Sequence, residues 1–176
     1  MSGHNKWSQI KEKKAKTDAK KSQLFGKHAR LIAEEARKAK GNRGAPGLRG
    51  AIEKARADNM PSENIERAVK KAAEAGGAAL EAITYECYGP GGAAIIIEAL
   101  TDSRNRTAQE IKHLLSEQGF ALAAPGSALW AFQKTAEGFK PSSATKLSDG
   151  DLNKLATLVE ALENHGDTQE VITNAE

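Results

Sequence analysis

A chain of 176 residues with a single cysteine and four scattered histidines can form one ordinary domain or two small ones, and it excludes an internal disulfide framework and any zinc ligand set of recognised spacing. Its net charge of +3 hides two opposite halves: through Gly76 there are 19 Lys and Arg against 9 Asp and Glu, and from Gly77 onward 7 against 14. Apolar runs such as Ala93 to Ile97 fall far short of the ~20 residues of a membrane helix, and the N-terminus lacks the apolar core of a secretory signal, so a soluble cytoplasmic protein with no membrane association is expected.

The first segment is the most basic. Between Lys6 and Arg30 lie Lys6, Lys11, Lys13, Lys14, Lys16, Lys20, Lys21, Lys27 and Arg30 against only Glu12 and Asp18. Like charges so little interrupted by acids repel one another unless a polyanion supplies the counter-charge. Trp7 and Phe25 place flat rings among these cations, the combination that nucleic acid uses for stacking plus phosphate neutralisation. Trp7 has a second reading as a core anchor, which the sequence alone does not separate from the first.

Beyond this arm the chain reads as helical. Leu24, Phe25, Ala29, Leu31, Ile32 and Ala36 recur at helical spacings over Asp18 to Lys38, and Leu48, Ala51, Ile52 and Ala55 restart the period after a glycine-bearing stretch. Asn59-Met60-Pro61 punctuates, with Asn59 suited to a left-handed helix end. Ile65, Ala68, Val69, Ala72 and Ala73 form the stripe of a third helix, stopped by Gly76-Gly77. Three helices with short loops predict a small bundle with a thin, alanine-rich apolar face.

The period then changes. Ile83, Tyr85 and Cys87 alternate with polar neighbours, Gly89-Pro90-Gly91-Gly92 turns the chain, and Ala93 to Leu100 reads as a buried strand. Thr107-Ala108-Gln109-Glu110 has the form of a capping box opening a helix with Ile111, Leu114 and Leu115 inward. A strand-like Ala121 to Phe132, bent at Pro125-Gly126, follows. Ser148 then caps a last helix striped by Leu152, Leu155, Ala156, Val159 and Leu162, and Gln169 to Thr173 closes as a strand. The predicted fold class is α+β in two domains: residues 1–78, a three-helix bundle with a basic arm, and residues 79–176, a ferredoxin-like α+β sandwich built from the hairpin plus two strand-helix-strand units.

The chemistry of catalysis is thin. The Gly89-Pro90-Gly91-Gly92 loop lacks the Gly-Lys-Ser/Thr ending of a phosphate loop and leads into a strand, so it reads as a turn. Cys87 falls on the strand pattern as a small core residue. No metal or cofactor motif is present, and an enzyme is not expected. Arg104 and Arg106, at the exit of the buried strand, either grip phosphate or pair with Asp102 to hold the corner.

Several blocks together resemble the YebC family: Gly3-His4-Asn5-Lys6-Trp7, Asp18-Ala19-Lys20-Lys21 with Leu24-Phe25, Leu48-Arg49, Asn59-Met60-Pro61, and Tyr85-Glu86-Cys87-Tyr88-Gly89-Pro90-Gly91-Gly92 running on to Arg104-Asn105-Arg106-Thr107. The resemblance implies a cytoplasmic, non-enzymatic protein with a helical N-terminal domain followed by α+β modules. Members of that family are known as probable transcriptional regulators. The mitochondrial relative is a translational activator of a cytochrome oxidase subunit, and both DNA binding and ribosome-associated work on proline-rich stretches have been assigned. The family usually has Ser at the place of Asn5, Gly at Cys87 and Asn at Ser103, and it inserts a third domain where Thr135 to Phe139 here bridges directly.

Together these readings predict a regulator that binds nucleic acid, as a ribosome- or RNA-associated translation factor or, alternatively, as a DNA-binding transcriptional regulator; a remoter third reading is an enzyme sited at the Gly-rich hairpin. The residues expected to meet ribosomal RNA or DNA are the nine cations of the arm with Trp7, Arg104 and Arg106.

Overall fold

A computed structural model describes residues 5–74 and 79–176; Gly76-Gly77, His4 and the side chain of Ala73 lie outside the described residues. Two compact units form: Ala15–Leu80, and Met1–Lys14 together with Glu81–Glu176. The class is α+β, as expected, but the expected 1–78 domain differs from the observed unit at its start. The basic arm is a helix, α1 (Lys6–Ala15), capped by the Asn5 side chain, which accepts from the Ser8 backbone N–H at 2.7 Å. Up to Lys14 this helix belongs with the α+β unit.

In the helical unit, α2 (Asp18–Lys38) starts at Thr17, whose hydroxyl accepts from Lys20 N. Helix α3 (Pro46–Ala57) begins on its proline, where the missing N–H costs nothing. Asn59 takes φ 62° between α3 and α4 (Ser62–Glu74), the left-handed stop anticipated for it. Ile32, Leu48 and Ile65 are fully buried among Ala36, Ala51, Ala55, Ala68 and Met60, and the small alanines allow close helix approach. His28, buried on α2, lies 2.6 Å from Asp58 at the end of α3 and ties the two helices.

In the second unit, β1 (Glu81–Tyr88), β2 (Ala94–Thr101) and β5 (Thr168–Thr173) form an antiparallel sheet in the order β1-β2-β5. Helices α5 (Arg104–Glu117) and α6 (Asp149–Glu163) supply Ile111, Leu115, Leu155, Leu158 and Leu162 to the core that holds Cys87, Ile95 and Ile97. Ala94 and Ile96 meet a second layer of Ala128, Ala131 and Phe132. Burial on both faces explains the uninterrupted apolar run of β2. The Gly-rich loop is the turn expected of it, a short 3-10 turn with Gly91 at φ 65° and Gly92 at φ 78°, angles that a Cβ would strain.

Two local expectations fail for identifiable reasons. Ala121 to Phe132 is not a strand. It makes one bridge, Leu122 to Cys87, and then loops, because the buried Glu86 carboxylate collects the backbone N–H groups of Gly126 (2.5 Å), Ala128 (2.7 Å) and Leu129 (3.1 Å) that a ladder would have used. The capping box is not formed either. Helix α5 starts four residues earlier, with Ser103 at its cap position, and Thr107 points into the interior instead. After the loop, β3 (Phe132–Thr135) and β4 (Gly138–Pro141) form a separate two-stranded hairpin turning at Ala136-Glu137, so the expected direct bridge is a tight turn.

Candidate nucleic-acid interface

The twelve residues singled out from sequence fall into distinct environments. Trp7 is only 8 % exposed and sits in the core of the α+β unit with Ile10 beside it, so its ring has no free face for stacking; the core-anchor reading is the one observed. Lys6 pairs with Asp149, Lys11 with Glu163 at 2.6 Å and Lys14 with Glu160 at 2.9 Å, all on α6. The lysines thus have internal counter-charges that a local reading could not see, since the acids lie some 140 residues or more away along the chain. Lys13 and Lys16 are exposed, and Lys20, Lys27 and Arg30 each have an interaction within the protein.

Arg104 and Arg106 hold the corner. Arg104 pairs with Glu81, and this hydrogen bond holds the Glu81 carboxyl below the usual carboxylate range. Arg106 bonds Asp102 (3.1 Å), Asp167 (2.7 Å) and Glu110 (3.0 Å), and the first two push its guanidinium further toward the charged form. Buried Thr107 donates to Asp167 at 2.7 Å and lies 2.7 Å from the Thr101 hydroxyl, while His165 stands 2.7 Å from Glu110. Glu110, His165 and Asp167 bring ligand-type atoms within 4.8 Å of one another, but the positive charge among them is already Arg106. Arg106 makes the Asp102 pair that one of the two readings named, while Arg104 turns to Glu81 instead.

An open cationic surface lies elsewhere, within the helical unit. A groove of about 620 Å³ runs between α2 and α4, lined from α2 by Asp18, Lys21, Ser22, Phe25, Gly26 and Ala29, and from α4 by Asn64, Arg67, Ala68 and Lys71, with Met60 beneath. Lys21, Arg67 and Lys71 are exposed, and among the described residues none supplies them with a carboxylate partner. They outnumber the groove's one acid, Asp18, by three to one. Phe25 is half-buried on the wall, and Gly26 leaves the α2 backbone uncovered, with nothing within 4 Å of where a Cβ would stand. The unit that carries the groove has 15 Lys and Arg against 8 Asp and Glu, a net of +7.

Of the groove's cations only Lys21 is among those expected from sequence, where Phe25 stands out as a ring beside it. Arg67 and Lys71 follow Asn64 at three and seven residues, and Phe25 follows Asp18 and Lys21 at seven and four, which are the intervals of one helix face. On α4 that polar periodicity lies on a different face from the apolar stripe that forms the core.

Residues 5–75 match the TACO1/YebC protein N-terminal domain, and residues 80–138 match the TACO1/YebC second and third domain. The chain belongs to the TACO1/YebC family. Its second match stops at Gly138, where β4 of the small hairpin begins. Among curated members it is similar to a probable transcriptional regulatory protein of Thermoanaerobacter pseudethanolicus, 53% identical over 136 residues that cover 76% of this chain and 55% of that one. Another is a probable transcriptional regulatory protein of Chlorobaculum parvum, 50% identical over 157 residues, 88% of this chain and 62% of that one. The chain therefore spans between about half and two thirds of the length of these relatives. The crystal structure of a conserved hypothetical protein from Aquifex aeolicus superposes with a TM-score of 0.78 at 32% identity, covering 98% of this chain and 97% of that one.

Proposed function

We propose that this TACO1/YebC chain is a non-enzymatic regulator of gene expression that binds nucleic acid through its helical unit, and that it acts as a ribosome- or RNA-associated factor easing translation of difficult, proline-rich stretches. The observation that carries the binding half of this reading is the α2/α4 groove, where three exposed cations, without carboxylate partners among the described residues, stand in a unit of net +7. A cation already paired must break its pair to meet a phosphate; an unpaired one gains the full attraction and releases counterions. The translational half rests on the family resemblance. Members' names as transcriptional regulators favour a second reading, duplex DNA as the partner, through the same cations.

The non-enzymatic reading draws support from Cys87, which is fully buried and whose thiol burial pushes up to about 12, far from the ionisation a nucleophile needs. Among the described residues no helix is long and apolar enough to cross a membrane, and the working compartment proposed is the cytoplasm. The test is binding of the purified full chain to ribosomes and to duplex DNA over a range of salt concentrations. Association with ribosomes that persists at physiological salt while duplex binding fades is the expected result. The reverse, with sequence preference on the duplex, transfers the role to transcription.

A further inference from the structure

We propose that the α2/α4 groove receives an unpaired nucleotide, its base lodged against Phe25 and its phosphates held by Lys21, Arg67 and Lys71, so that the protein selects single-stranded over duplex nucleic acid. This deepens the reading above and rests on the helical unit binding nucleic acid at all.

The cations rim an open groove of about 620 Å³, a volume within the ~300–1,000 Å³ usual for small-molecule sites and large enough for one base. Its interior is apolar where a base would enter: Phe25 on the wall, Ala29 and Ala68 at the side, Met60 beneath. An aromatic ring at the edge of a basic groove is the arrangement that stacks a splayed base irrespective of its identity. Ser22 and Asn64 add groups able to meet the polar edge of the base, and Asn64 offers both a donor and an acceptor. Base pairs stacked within a duplex cannot enter such a cleft without first unstacking, at a cost of a few kcal/mol. Duplex phosphates would reach the rim and leave the interior empty.

Gly26 makes the idea separable from simple electrostatics. It opens the groove on the α2 side, and because no atom lies within 4 Å of an added Cβ, a larger side chain there fills the groove without displacing anything at its first carbon. Replacing a helical glycine also favours the helix. Gly26→Leu should therefore occupy the base site in a folded protein with all cations retained.

The experiment measures fluorescence anisotropy of labelled oligo(U), oligo(dT) and a duplex of equal length on the full chain at physiological salt. The wild type is expected to bind the single strands more tightly than the duplex, and preference between oligo(U) and oligo(dT) then identifies RNA or DNA as the source. Phe25→Ala and Gly26→Leu are each expected to weaken single-strand binding by about 5- to 100-fold, with duplex binding within about twofold of wild type and, for Gly26→Leu, a melting temperature no lower than wild type. Wild-type preference for the duplex, or unchanged single-strand binding in both variants while neutralising Lys21, Arg67 and Lys71 still removes it, overturns the base site and leaves the nucleic-acid reading standing. Absence of binding to every oligonucleotide and to ribosomes overturns both.

Discussion

The candidate cations of the α+β unit and the cations of the helical groove differ in what folding brings to them. In the α+β unit the cations that looked most available, Lys6, Lys11, Lys14, Arg104 and Arg106, each meet a carboxylate. In the helical unit pairs also occur, as between Arg43 and Glu66, yet Lys21, Arg67 and Lys71 converge on one groove without such partners among the described residues. A count of charges along the chain weights both groups alike. What separates them is whether folding brings an acid to each cation, and that is a property of tertiary structure.

The sharpest way to test the contrast is Trp7→Ala. Removing a buried tryptophan costs about 3–5 kcal/mol, so the variant should lose most of the stability of the α+β unit, seen as a large drop in the urea midpoint. Nucleic-acid affinity, measured where the variant is still folded, should hardly change. If stability stays and binding falls, Trp7 is the stacking ring after all and α1 is the interface.

Neutralising the groove comes next. Lys21→Gln, Arg67→Gln and Lys71→Gln together should weaken nucleic-acid binding by about 100-fold at physiological salt and reduce the slope of log affinity against log salt by about 2, as three lost contacts to single-stranded phosphate imply. Unfolding curves should barely move, because these side chains are exposed and meet no carboxylate among the described residues. A slope unchanged by the triple substitution would mean that the phosphates sit elsewhere.

The core of the α+β unit can be probed through pH. Burial raises the folded Cys87 thiol to about 12 from the ordinary value of 9.0, so the unfolded chain ionises first as pH rises. The stabilisation from keeping the thiol neutral is complete below about pH 9 and is lost progressively toward pH 12, where the folded thiol would also ionise. At about pH 10.5 the wild type should have lost about 2 kcal/mol more than Cys87→Ala, relative to neutral pH. Equal alkaline losses would mean that the site is wet.

Much of the fold was legible because it is written locally. The stripes Ile32-Ala36, Leu48-Ile52-Ala55 and Ile65-Ala68 gave three helices, and Asn59 gave a stop that the observed φ matches. The alternation to Cys87, the glycine turn and the unbroken Ala93 to Leu100 gave a hairpin whose second strand is covered on both faces. What escaped depends on distant partners. Glu86 reads as an outward polar residue on an alternating strand, yet it is buried because three backbone N–H groups from 126 to 129 converge on it. Thr107 and Glu110 fit a cap by spacing, but Asp167, Arg106 and His165 claim their side chains. For the candidate site, Lys21 and Phe25 could be noticed in a basic stretch; Arg67 and Lys71 gain meaning only when α4 is laid beside α2.

The smallest expected effects concern the paired lysines of α1, and they test whether pairing removes a cation from use. Lys11→Gln and Lys14→Gln should each cost no more than about 1 kcal/mol, the usual limit for partly exposed pairs, and a double-mutant cycle of Lys11 with Glu163 should give a coupling within the same limit. Weak pairs can still compete with a phosphate backbone, so the decisive variant removes the acids instead. Glu160→Gln with Glu163→Gln releases Lys11 and Lys14 while keeping their charge. If α1 lies outside the nucleic-acid path, affinity rises only by the small change in overall charge, and the gain disappears at high salt. A tenfold gain that also steepens the salt dependence by about one further phosphate contact would instead show the α6 acids acting as an internal mimic of the polyanion, holding part of the basic run in reserve.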